Sequence, residues 1–118
     1  MSDQIIIYHN PRCSKSRATL AILEEKCNAN EFSVVEYLKD TPNAETLKHL
    51  VQSLGVEVRD IMRTKEAAYQ ENNLSEADDA ALYAAMQDHP ILIERPIVQR
   101  GDQVVIGRPP ENVLEILD

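Results

Sequence analysis

The chain has only two cysteines, Cys13 and Cys27, among 118 residues. That is too few to staple a secreted domain with disulfides, and it suits a reducing compartment. Aromatic residues are scarce too, since Phe32 and four tyrosines are all there are, so the 43% apolar content is mostly aliphatic. Such a content is normal for a globular chain and excludes a disordered one. No apolar run approaches the ~20 residues that a membrane helix requires. The opening MSDQIIIYHN lacks the basic and long apolar regions of a signal peptide, so a cytoplasmic location is expected. Bases are the minority, 12 against 20 acids, and a net charge of −8 opposes non-specific binding to nucleic acid, whose phosphates would repel the chain. A chain of this length fits one ordinary domain with one core, so a single domain over residues 1–118 is expected.

The charge is unevenly spread. From Glu66 to Asp88 there are six acids and no Lys or Arg, whereas residues 12–17 carry three bases, Arg12, Lys15 and Arg17, and no acid. The acidic run reads as a solvated helical face. The basic island surrounds Cys13 in HNPRCSKSR and directly follows the apolar run Ile5-Ile6-Ile7-Tyr8.

Periodicity and turn chemistry divide the rest. Ile5–Tyr8 and Phe32–Tyr37 read as strands, and Ser14–Lys26, which lacks Gly and Pro, reads as one helix between them. Thr41-Pro42 offers a cap and a first-turn proline for a helix carrying Leu47, Leu50, Val51 and Leu54, which Gly55 stops. Val58, Ile61 and Met62 mark a further short helical segment. Ser75-Glu76-Ala77-Asp78 has the S-x-x-D capping pattern, ahead of a helix through Leu82, Ala85 and Met86 that ends before His89-Pro90. Ile97–Gln99 and Gln103–Ile106 flank Arg100-Gly101-Asp102, which reads as a three-residue hairpin turn. Gly-Asp is ordinary turn chemistry, and in a chain without secretion signals the Arg-Gly-Asp triplet is not read as an adhesion motif. Pro109-Pro110 opens a final amphipathic helix through Val113, Leu114 and Leu117.

This order predicts an α/β fold: a thioredoxin-like mixed four-stranded sheet with a helical insertion, about residues 42–89, between strands two and three. The crossover helix makes the first strand pair parallel, and the hairpin makes the last pair antiparallel. Pro96 stands just before strand three, where that fold commonly keeps a cis proline facing the cysteine, so a cis Arg95-Pro96 bond is expected.

Cys13 would sit at a helix N-terminus, where unpaired N–H groups and the positive end of the helix dipole favour thiolate over thiol. Arg12, Lys15 and Arg17 add nearby positive charge. The same N–H groups would hold an oxyanion, so nucleophile and anion converge on one spot. Fourteen helical steps of ~1.5 Å put Cys27 ~21 Å away along the axis, against a Cα limit of ~7 Å for a disulfide. Cys27 is therefore expected to be a structural residue at the helix end.

Competing chemistries lack a residue they need. A cysteine-phosphatase loop with five residues between Cys and Arg would place Arg where this chain has Thr19. Two-thiol redox chemistry would need a cysteine where this chain has Ser16, giving C-x-x-S. His9, His49, His89 and the cysteines show no paired ligand spacing, so no metal site is expected. His9 either tunes the cysteine or hydrogen-bonds locally in a turn.

Three separated motifs, H-N-P-x-C-x-x-S-R around Cys13, HPILIERPIV from His89 to Val98 and IGRPPE from Ile106 to Glu111, resemble the glutaredoxin-coupled arsenate reductase (ArsC) family nearly end to end. The resemblance implies one catalytic cysteine, Cys13, and three anion-binding arginines, Arg63, Arg95 and Arg108, with His9, Asn10, Ser16, Arg17 and Pro96 in supporting positions. It also implies arsenate or a similar oxyanion as substrate, no bound cofactor, glutathione as co-substrate and glutaredoxin as partner. Ser14-Lys15 replaces the small uncharged residues of arsenate-specialised members, and Glu94 replaces a neutral residue. NPRCSKSR with IGRPPE resembles a broad housekeeping branch. Two other classes stay open: a glutathione-dependent thiol reductase acting on another substrate, and a regulator resembling the RNA polymerase-binding Spx proteins. Spx-like chains usually carry C-x-x-C, and Ser16 counts against that class.

Overall fold

A computed structural model describes residues 4–117. It divides into two compact units, one running up to Asp40 and resuming at Arg95, the other formed by Thr41–Glu94.

The first unit holds a four-stranded sheet in the order β2-β1-β3-β4, with β1 at Ile5–His9, β2 at Phe32–Glu36, β3 at Ile97–Arg100 and β4 at Gln103–Ile106. β1 pairs in parallel with β2, from Ile5 with Phe32 to His9 with Glu36, and antiparallel with β3, from Ile5 with Arg100 to Tyr8 with Ile97. β3 and β4 close the antiparallel hairpin. The α/β class, the mixed sheet and the parallel and antiparallel pairings are those the element order implied. The crossover between β1 and β2 is α1, Ser14–Lys26. Strand alternation puts Ile5, Ile7 and Val98 on one face, where they join Leu23 of α1 with Val113 and Ile116 of the C-terminal segment in a core.

Two local readings are corrected here. Arg100 is paired with Gln103, so the hairpin turn is Gly101-Asp102, two residues, with Gly101 at φ 61°. The last segment, Pro110–Ile116, is a 3₁₀ helix rather than an α-helix. Its buried side chains, Val113 and Ile116, are three apart, which matches three residues per turn, and Leu114 is left exposed. The buried stripe of α1 is Ser16, Thr19 and Leu23, polar at its N-terminal end.

The second unit contains α2 at Ala44–Leu54, α3 at Ala67–Glu71 and α4 at Asp79–Asp88, joined by short 3₁₀ turns. Asn43, not Thr41, caps α2, its side chain accepting the Thr46 N–H at 2.9 Å. Gly55 ends the helix at φ 69°, the left-handed conformation that glycine takes without penalty. Asp78, not Ser75, caps α4, accepting the Ala81 N–H at 2.9 Å, while Leu74–Glu76 forms its own 3₁₀ turn. The Arg59 guanidinium fastens this region by donating to Tyr69 Oη and to the carbonyls of Leu74 and Ala77. Most acids of the 66–88 run are exposed, as a solvated face requires; Glu66 is half-buried and paired with Arg63.

Candidate active site

β1 delivers the HNPRCSKSR segment to the end of the sheet, and hydrogen bonds fix it almost residue by residue. The Asn10 side chain accepts the Arg12 N–H at 3.0 Å, and its carbonyl accepts the Cys13 N–H at 3.0 Å. Arg17 donates from its guanidinium to the Pro11 carbonyl at 2.9 Å. Ser16, fully buried, brackets the loop from inside: its Oγ accepts the Asn10 N–H at 3.0 Å and lies 2.6 Å from His9 Nδ1. Burial holds the His9 imidazole below its ordinary pKa, with Arg17 acting in the same sense and Glu36 and Glu24 opposing. His9 is thus the last residue of β1 and not a turn residue, and Ser16 ties the strand to the helix.

Cys13 occupies the N-cap position of α1, with extended backbone and no side-chain capping bond. The residue is 9% exposed, and burial alone would push the thiol up. The opposite outcome prevails. The backbone N–H groups of Ser16 and Lys15, followed by the guanidiniums of Arg95 and Arg108, together lower it below the ordinary thiol value. The helix N–H groups act as the sequence reading expected, but the side chains of Arg12, Lys15 and Arg17, which it credited as well, are exposed and are not among the causes of the shift.

The two arginines arrive from the strands beyond β1. Arg95 stands two residues before β3, with the Arg95-Pro96 peptide cis as expected; the Arg108-Pro109 peptide is also cis. The Pro96 carbonyl accepts the Gly107 N–H at 3.0 Å, and Asn112 donates to the carbonyls of both Ile106 and Arg108 at 3.2 Å. Gly107 has no room for a side chain: a Cβ there would lie 2.5 Å from Thr19 Oγ1 and 2.8 Å from Pro96 Cγ. Thr19 is itself buried and donates to the Lys15 carbonyl at 2.8 Å. Thr19, Gly107 and Asn112 therefore shape this end of the unit, although sequence reasoning did not single them out. A glycine ahead of Arg-Pro-Pro and a threonine one turn after Ser16 were the only signals.

Arg63, the third expected arginine, belongs to the Thr41–Glu94 unit. Its guanidinium meets Glu66 at 3.0 Å, and its N–H donates to the Leu92 carbonyl at 2.7 Å. Glu94 donates its N–H to the Ile61 carbonyl of the same unit. Among the described residues, no group of three or more His, Cys, Asp and Glu side chains is placed to hold a metal ion, and no helix is long and apolar enough to cross a membrane.

An acidified thiol facing two guanidiniums and helix N–H groups is equipped to attack the centre of a bound oxyanion. Comparison with known proteins places the chain in a family. Residues 8–116 match the model of the ArsC family. The chain is 50% identical over 120 residues to the Escherichia coli protein YfgD, described as uncharacterized, with 99% of each chain covered. It is 49% identical to an arsenate reductase of Haemophilus influenzae, covering 96% of this chain and 98% of that one. The structure of an arsenate reductase from Vibrio cholerae superposes with a TM-score of 0.89 at 53% identity, covering 98% and 99% of the two chains. The chain is a member of the ArsC family.

Proposed function

We propose that this protein reduces arsenate to arsenite, with Cys13 as nucleophile and glutathione and glutaredoxin as electron source. The observation that carries the reading is the set of groups favouring the Cys13 thiolate: two helix N–H groups and the guanidiniums of Arg95 and Arg108. The names of the Haemophilus and Vibrio relatives point the same way. The thiolate attacks arsenic, and an arsenate oxygen leaves as water after protonation, giving a Cys13–S–As(V) adduct. The arginines and N–H groups neutralise the oxyanion. Glutathione then attacks Cys13 Sγ. The S–As bond breaks with its electron pair on arsenic, which departs as As(III), and a Cys13–glutathione disulfide remains. Glutaredoxin reduces that disulfide and restores the thiol.

An external thiol is required by this reading because Cys27 stands at the other end of α1 and both cysteines are free. Arg63 is carried as a third anion-binding residue on its sequence motif alone. A cytoplasmic setting with a reducing glutathione pool belongs to the same proposal.

The test is NADPH oxidation by the purified protein with arsenate, glutathione, glutaredoxin and glutathione reductase. Turnover should depend on arsenate, vanish in Cys13→Ser and persist in Cys27→Ser. Arg95→Ala and Arg108→Ala should each cost at least ~10-fold in kcat/KM. If Cys13 still exchanges with glutathione disulfide but arsenate elicits no oxidation, the arsenate assignment fails and the reading becomes a glutathione-dependent thiol reductase for another substrate.

A further inference from the structure

The reaction proposed above constrains where its second thiol can stand. Attack at Cys13 Sγ places electrons in the antibonding orbital of the S–As bond, so the incoming sulfur must approach from the side opposite arsenic. In the sheet order β2-β1-β3-β4, β1 carries the cysteine loop, while Arg95 enters β3 and Arg108 leaves β4. Both arginines thus come from one side of β1. On its other side lies β2, whose last residue, Glu36, is paired in register with His9 at the end of β1.

At that place there is a cleft of about 400 Å³ lined by Asn10, Pro11, Arg12, Glu36, Leu38 and Lys39. Its size falls within the range of small-molecule sites, ~300–1,000 Å³. The residue after Arg12 is the nucleophile itself. The walls are already positioned: Arg17 holds the Pro11 carbonyl, and the Asn10 amide reaches Tyr37 Oη at 3.5 Å. Leu38 is 40% exposed, an apolar side chain left facing solvent. Glu36 and Lys39 form only a loose pair at 3.9 Å with both side chains well exposed, so neither is committed to the other.

We propose that this cleft binds the resolving thiol, and that the thiol is a short anionic peptide of glutathione's type; this rests on the reading of Cys13 as a thiol resolved from outside. Glutathione carries two carboxylates and one ammonium. The cleft offers two cations, Arg12 and Lys39, one anion, Glu36, and an apolar contact for the peptide stem in Pro11 and Leu38. The charges match in number and sign. The exposed base ahead of the nucleophile then has a role that does not depend on acidifying the thiol.

The experiment uses the full chain without arsenate or glutaredoxin, so it does not share the fate of the arsenate assignment. Formation of the Cys13 mixed disulfide is timed by mass spectrometry with glutathione disulfide and with uncharged hydroxyethyl disulfide. In the Arg12→Glu, Lys39→Glu double variant the glutathione reaction should fall roughly tenfold relative to the hydroxyethyl one. Alkylation of Cys13 by iodoacetamide should stay within about twofold of the parent, showing that the thiolate itself is intact. Lys26→Glu, at the far end of α1, alters net charge at a distance and should not reproduce the selective loss. Equal loss with both disulfides, no loss with either, or the same loss in Lys26→Glu would overturn the proposal.

Discussion

Both cysteines of this protein cap the same helix, Cys13 at the N-terminus of α1 and Cys27 at its C-terminus. Their chemistry is opposite. Burial pushes both thiols up, but at Cys13 the N–H groups of Ser16 and Lys15 and the guanidiniums of Arg95 and Arg108 outweigh it. At Cys27 burial is reinforced by the Glu31 carboxylate and only partly offset by Arg100, so the thiol stays protonated to higher pH. The helix dipole acts in the same directions at its two ends. What sets the two thiols apart is therefore which end of the helix each caps and what the neighbouring strands bring to it. Exposure would give the reverse ranking, since Cys13 is buried and Cys27 is half-buried.

That contrast sets the largest expected effect. Iodoacetamide alkylation followed by peptide mapping should modify Cys13 at least ~10-fold faster than Cys27 at pH 7, with an inflection below the ordinary thiol range for Cys13 and above it for Cys27. Comparable rates, or Cys27 reacting first, would break the comparison and leave exposure as the governing factor. Linkage gives the pH dependence of stability. A thiol depressed on folding stabilises the protein above its unfolded pKa, and that contribution is lost as pH falls through the folded value. For Cys27, raised on folding, the contribution is complete below the unfolded pKa and disappears as pH rises through the folded one.

A second, smaller effect comes from Gly107. A methyl group there would stand 2.5 Å from Thr19 Oγ1 and 2.8 Å from Pro96 Cγ, both in packed surroundings, so the segment that carries Arg108 must shift. Gly107→Ala is expected to cost ~1–3 kcal/mol of stability as an overpacked substitution. It should also raise the Cys13 alkylation inflection, because Arg108 moves from its position, and leave that of Cys27 where it was. Melting temperature and the two inflections measure these separately. A stability loss with no change at Cys13 would show that Arg108 is held by something other than this contact.

The sequence was most legible where a signal is local. Ser14–Lys26 lacks any breaker and is one helix, and the apolar strands pair as the crossover and hairpin require. Local signals misled where two candidates competed. Thr41 and Ser75 looked like caps, yet Asn43 and Asp78 reach the free N–H groups, because capping depends on which side chain meets the third helical residue. The C-terminal segment has apolar residues at several helical spacings, and packing of Val113 and Ile116 selected the 3₁₀ form. The site shows the same division. Cys13 at a helix start could be read from its flanks, but the convergence of Arg95 and Arg108 depends on strand order across more than eighty residues of chain. Burial of Ser16 and Thr19 at the polar end of α1 could not be read from a search for apolar stripes.

The smallest expected effect is the one that tests the cause of the acidity most directly. Lys15 contributes to Cys13 through its backbone N–H, which points along the helix axis whatever side chain it bears; its ammonium is exposed, where solvent screens it. Lys15→Gln keeps a good helix former and the N–H while removing the charge. The Cys13 inflection should move by less than about 0.3 pH units, well within the ~1-unit scatter of protein pKa values. The same readout in Arg95→Ala should rise distinctly more, since that guanidinium does act on the thiolate. Should Lys15→Gln raise the inflection as far as Arg95→Ala does, the flanking bases would be the source of the low pKa after all, and the difference between the two ends of α1 would reside in local sequence and not in the strands that converge on one of them.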